Sequence, residues 1–107
     1  MNMILVNISI RLKNKKLVRL YRARFKFRHG HLKKKLEKDN SFQTTIGRSK
    51  VLKDYLVRQL SRLRFNSSHK SASVFCVFNF SDLPLQTKEA RALHVRILNN
   101  FCEILLC

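Results

Sequence analysis

The order of structure along this chain turns on the stretch Gln59-Leu60-Ser61-Arg62-Leu63-Arg64-Phe65-Asn66-Ser67-Ser68-His69-Lys70. An amphipathic helix runs out here. The chain then enters Asn-Ser-Ser, whose side chains bond readily to nearby backbone and break helices. Cations flank the break: Arg62 and Arg64 before it, Lys70 after it. Cations beside small hydroxyl and amide groups suit a phosphate backbone, because each of these groups donates to phosphate oxygens.

Working upstream, Leu52, Tyr55 or Leu56, Leu60 and Leu63 form one stripe of the helix that ends here, and Ser49 is placed to cap its start. Residues 39–47 read as a polar connector ending in Gly47. Before it, residues 11–38 read as one long basic helix. Leu17, Tyr21, Phe25, Leu32 and Leu36 share a side, cations cover the rest, and Gly30 is a point where it can kink. Residues 1–10 are apolar and nearly uncharged. Working downstream, residues 72–80 hold Val74, Phe75, Val77, Phe78 and Phe80, a β-branched and aromatic run that favours an extended segment. Residues 81–84 make a turn. Thr87 can then cap a last helix with Ala90, Leu93, Ile97, Leu98, Phe101, Ile104 and Leu105 on a broad apolar face. That face either covers a small core or docks on another protein, and the pattern admits both.

The 107 residues hold 23 Lys and Arg against 6 Asp and Glu, a formal charge of +17. Twenty of those bases but only three of the acids lie in residues 1–70, so the remainder is neutral. Self-repulsion of this size opposes a compact monomer, and a polyanion such as nucleic acid relieves it. An apolar content of 45% excludes a plain disordered polybasic tail. The division expected is an apolar segment 1–10, a basic helical part 11–70 that binds RNA, and a neutral part 71–107 with the last helix, all in one domain.

Catalytic and metal chemistry find little support. Acids are too few for paired-carboxylate catalysis, and there is no glycine-rich phosphate loop. His29 and His31 point to different helix faces. Three cysteines without a Cys-x-x-Cys read as reduced thiols, and Cys76 in its apolar run reads as buried and inert. The expectation is no enzyme, no cofactor and no metal.

With these residues laid out, the chain resembles the small-subunit ribosomal protein family S-fourteen in its zinc-free form. Lys15-Lys16-Leu17-Val18, Tyr21 and Arg24 resemble the family's opening helix. Residues 60–68 resemble its L-x-x-L-P-R-N-S-S, and Cys76 lies ten positions after Asn66 as the family places it. The match spans roughly residues 11–80. It departs at Arg64-Phe65, Val74-Phe75 and 79–81, and the family's basic C-terminal half is neutral here. The resemblance implies a structural constituent of the small ribosomal subunit, in the subunit head and in a mitochondrial ribosome. Its partners would be ribosomal RNA and neighbouring ribosomal proteins, the latter through Leu93, Ile97, Phe101 and Leu105. The RNA-binding residues expected are Lys15, Lys16, Arg19, Arg22, Arg24, Arg62, Arg64, Asn66, Ser67 and Lys70, with His69 also near phosphate.

Two readings stand beside it: a small basic accessory protein that binds RNA or DNA outside any ribosome, and a membrane-surface helix inserting Phe25, Phe27 and Leu32. The cations interleaved round most of that helix argue against a lipid-facing side, and no membrane partner is expected. The acid-free basic start also fits a mitochondrial targeting segment. The fold expected is mainly α. It has two basic amphipathic helices, an extended or loop segment with little β, and a C-terminal helix, in an elongated shape that depends on RNA.

Overall fold

The structure, a computed structural model, describes residues 3–38, 50–83 and 87–107. In chain order these form β1 (Met3–Arg11), α1 (Lys15–Lys38), α2 (Lys50–Arg62), β2 (Arg64–Ser68), β3 (Ser71–Asn79), a 3-10 turn (Phe80–Asp82) and α3 (Lys88–Leu106). The strands make one antiparallel sheet in the order β1-β3-β2. The mainly helical expectation is therefore wrong. The fold is α+β, and its radius of gyration of 14.5 Å is near the roughly 13 Å of a compact chain of this length, so it is not elongated either.

β1 is the element the sequence reading missed. Ile4, Val6, Ile8 and Ile10 alternate with Leu5, Asn7, Ser9 and Arg11, a period of two that marks a strand with one buried face. Its register puts Val6 opposite Cys76 and Ile8 opposite Val74. The Asn-Ser-Ser segment is a second correction. It ends α2 as expected, but it continues as β2 rather than as a loop, with Phe65 opposite Val74 and Ser67 opposite Ala72. Residues 72–79 are extended as expected and with Ser71 form the central strand, whereas Phe80 opens the 3-10 turn instead. Each of the three sequence divisions supplies one strand, so the divisions interleave in a single sheet.

All three helices lie on one face of the sheet, α3 over β1 and β3, α1 toward β2, and α2 against α1 and α3. Between them Leu36, Leu60, Val74, Phe78, Leu98, Phe101, Cys102 and Leu105 are buried. Each large apolar side chain removed from water contributes roughly 1.5–3 kcal/mol. Phe101 and Leu105 are thus spent on the protein's own core rather than on an outer docking face, while Leu93 and Ile97 are half-buried. Leu32 is buried and Phe25 packs on Phe65, so neither is free to enter a lipid surface. Among the described residues no helix is long and apolar enough to cross a membrane.

Local chemistry sets the helix ends. Asn14 Oδ1 accepts from Leu17 N at 3.0 Å and starts α1 at Lys15, four residues later than the pattern suggests. Thr87 Oγ1 accepts from Ala90 N at 3.1 Å, as expected. Gly30 does not divide α1, and a Cβ there would meet open space. The connector 39–47, the cap at Ser49, the side chain of Leu52 and Pro84 lie outside the described residues.

His94 of α3 is 1% exposed, packed edge-on to Phe78 at 4.5 Å and against Tyr55 at 5.2 Å. Neither ring nitrogen has a partner among the described residues. Burial pushes its pKa down from 6.5 to about 4. Above pH 6.5 the ring is neutral in both folded and unfolded chains, and its full contribution is present. As the pH falls toward 4, the unfolded chain takes up a proton that the folded one refuses. Urea unfolding is expected to show a loss of about 3 kcal/mol across this window from His94 alone. His94→Leu should remove that part of the slope, and an unchanged slope in the variant would refute the assignment.

Candidate nucleic-acid interface

Helical spacing distributes the cations of α1 over two faces. Lys15, Arg19 and Arg22 recur at four and three residues and so share a side. That side overhangs β2 and the β2–β3 turn, where Val18, Ser67 and His69 complete an open groove of about 270 Å³. None of the six lining residues is acidic. The groove lies at the N-terminal end of α1, whose first turn contains no acid. The partial positive charge of a helix N-terminus therefore adds to the cations instead of being neutralised.

Each wall has a structural reason. Val18 is buried and gives the groove its apolar floor. Arg22 Nη2 donates to Ser67 Oγ at 2.8 Å, and its guanidinium lies over the Phe65 ring at 5.8 Å. Phe65 in turn packs on Phe25. Arg22 is thus held before any ligand arrives, which lowers the entropic cost of using it. His69 sits in the tight β-turn with φ +46°, a backbone region that few side-chain-bearing residues adopt. Ser68 and Ser71 close the turn, hydroxyl to hydroxyl, at 2.9 Å. Leu12 N donates to Lys70 O at 2.6 Å and ties the turn to the entry of α1.

The ten residues expected from the sequence therefore separate. Lys15, Arg19, Arg22 and Ser67 meet in the groove. Lys16 and Arg24 lie on other faces of α1, with the Arg24 guanidinium over the Tyr21 ring at 4.8 Å. Arg62 ends α2. Arg64 and Asn66 alternate with Phe65 and Ser67, and so lie on the sheet face that carries no helix. Arg64 Nη1 also donates to the carbonyls of Ser61 and Leu63, which stabilises the C-terminal end of α2. Lys70 is in the turn, and its backbone carbonyl serves the fold. The reading missed Val18 and Phe65 as parts of the site. The alternation of residues 64–68 was the signal for Phe65, but the serines and asparagine argued for a loop.

Other titratable groups have structural settings. His29 Nε2 lies 2.7 Å from Leu60 O, tying α1 to α2. Arg28 Nη1 donates to Ile104 O at the C-terminal end of α3. Cys76 and Cys102 are buried, and burial raises both thiols, Cys102 to about 12. Neither is a thiolate at neutral pH.

The His69 backbone gives a direct test of the hairpin that holds the groove. His69→Val places a β-branched side chain at positive φ and should cost about 1–2 kcal/mol in urea unfolding. His69→Gly should stay within about 1 kcal/mol of the unaltered protein. Equal losses in both would show that the turn does not constrain the fold. No protein-family model, no curated protein and no solved structure matches this chain.

Proposed function

We propose that the protein binds folded RNA through its phosphate backbone and serves as a structural part of a ribonucleoprotein particle. The observation that carries this reading is the acid-free groove in which Lys15, Arg19 and a pre-positioned Arg22 face Ser67 and His69. Three cations, one hydroxyl and one imidazole match the donors that phosphate oxygens accept. Eight further Lys and Arg on α1, against Glu37 alone, extend the same field along the helix. Binding is electrostatic and shape-based: the cations release counterions from a bent RNA backbone laid across α1 and the turn.

The specific form proposed is a constituent of the small ribosomal subunit, in a mitochondrial ribosome. It rests on the resemblance of residues 15–24 and 60–68 to the S-fourteen family, which here occupy α1 and the junction of α2 with β2. One observation favours a second form, an accessory RNA-binding protein outside the ribosome: the chain has its own buried core beneath a paired sheet, the architecture of a protein that stands alone.

Two measurements test these statements. If about eight phosphates are contacted, log K should fall with log salt at a slope of about −6 to −7. Replacing Lys15, Arg19 and Arg22 together by Gln should make that slope shallower by about 3. A starting slope shallower than about −3 would refute extensive phosphate binding. Sedimentation of the tagged protein in sucrose gradients, with and without magnesium, separates the two forms. Co-migration that follows the small subunit supports the ribosomal one, and a position at the top in both runs supports the accessory protein.

A further inference from the structure

The groove uses one side of α1. The side turned away from the core carries a different pattern. Leu20, Arg24, Phe27, His31 and Lys34 recur at four, three, four and three residues, and all are exposed. Phe27 is 78% exposed, the most open of the exposed large apolar side chains of the described residues. Its ring and that of His31 are parallel to within 2°, with centroids 6.5 Å apart. Bases in a stacked strand are spaced about 3.4 Å apart. Because the planes are parallel, the gap between them is at most the 6.5 Å centroid distance. A flat base stacked on both rings therefore needs the exposed Phe27 side chain to open slightly toward two stacking distances.

We propose that Phe27 and His31 bracket a single unpaired nucleobase of the bound RNA, with Arg24 and Lys34 on the adjoining phosphates. This inference rests on the RNA-binding reading and adds to it a preference for a bulged or single-stranded nucleotide. Three features on this face support it. The face is cationic and carries no acid among Leu20, Arg24, Phe27, His31 and Lys34, so its charge complements a polyanion. Aromatic faces stack on any base, because every base has a π-face. A helix packed on its opposite side also presents both rings on a rigid support. A lipid surface fits less well, since Leu20 and Phe27 are the only large apolar side chains in the stripe and Arg24 stands between them.

The chain contains no tryptophan, so Phe27→Trp creates a single fluorescent reporter on this face. Its emission should be quenched by an RNA hairpin with a one-nucleotide bulge, and little affected by heparin or by a fully paired hairpin. In parallel, the unaltered protein should bind the bulged hairpin about 5- to 100-fold more tightly than the paired one at equal salt. Phe27→Ala and His31→Ala, both at exposed positions, should remove that preference while leaving paired-hairpin affinity and its salt slope unchanged. Circular dichroism checks that each variant is folded. Retention of the preference in Phe27→Ala overturns the bracket. So does equal quenching by heparin, or a response confined to anionic vesicles, which assigns the face to lipid. Failure of the unaltered protein to bind either hairpin at low salt overturns the RNA reading together with it.

Discussion

Nine residues of β1 lie antiparallel to nine of β3, from Met3 opposite Asn79 to Arg11 opposite Ser71. Fifty-nine residues of chain, 12–70, separate the two strands, and almost all of the positive charge lies between them. Its register decides which side of each strand meets the helices. A slip of β1 by one residue would send Ile4, Val6, Ile8 and Ile10 to the open face and bring Leu5, Asn7 and Ser9 inward. Register is therefore enforced by the burial of one complete face. β2 adds to the free edge of β3 through a two-residue turn, and everything cationic is hung on the outside of this frame.

That arrangement reconciles a strongly basic composition with a packed core. The apolar side chains of α1, α2 and α3 converge on the sheet face made by even-numbered residues of β1 and β3, while lysines and arginines project from the remaining faces of α1. Several cations are used internally. Arg28 and Arg64 stabilise the C-terminal ends of α3 and α2, where carbonyls lack helical partners. Others oppose local stability: Lys15 and Lys16 sit in the first turn of α1, where a helix favours acids. A protein selected for stability alone would place Asp or Glu there. Cations at that end suit the anionic partner proposed above.

His94 is the least comfortable part of the core. An imidazole with no partner for either nitrogen among the described residues loses the hydrogen bonds that water would give it. Its edge-on contact with Phe78 and its packing on Tyr55 return part of that cost through aromatic geometry. The Tyr55 hydroxyl is likewise unpartnered there, and burial raises its pKa. Two unpartnered groups thus meet where α2 packs on α3.

The sequence by itself determined the helices, the charge and the core faces, because these depend on spacing alone. Leu32 and Leu36 on α1, Leu56, Leu60 and Leu63 at the end of α2, and Leu98 and Phe101 on α3 are buried as their periods require. The extended character of residues 72–79 and the Thr87 cap were legible for the same reason. Half of the groove was legible too, since Lys15, Arg19 and Arg22 share a helix side at any tertiary arrangement. Only the tertiary structure decided that residues 64–68 form a strand. Ser, Asn and Arg have weak strand preference, and it is the exposed edge of β3 that draws them into pairing. The same pairing placed Ser67 under Arg22 and His69 at the groove's rim, forty-odd residues away in sequence. The strand β1 was written in its alternation, yet its partner lies more than sixty residues downstream, and no local pattern specifies a contact made at that distance.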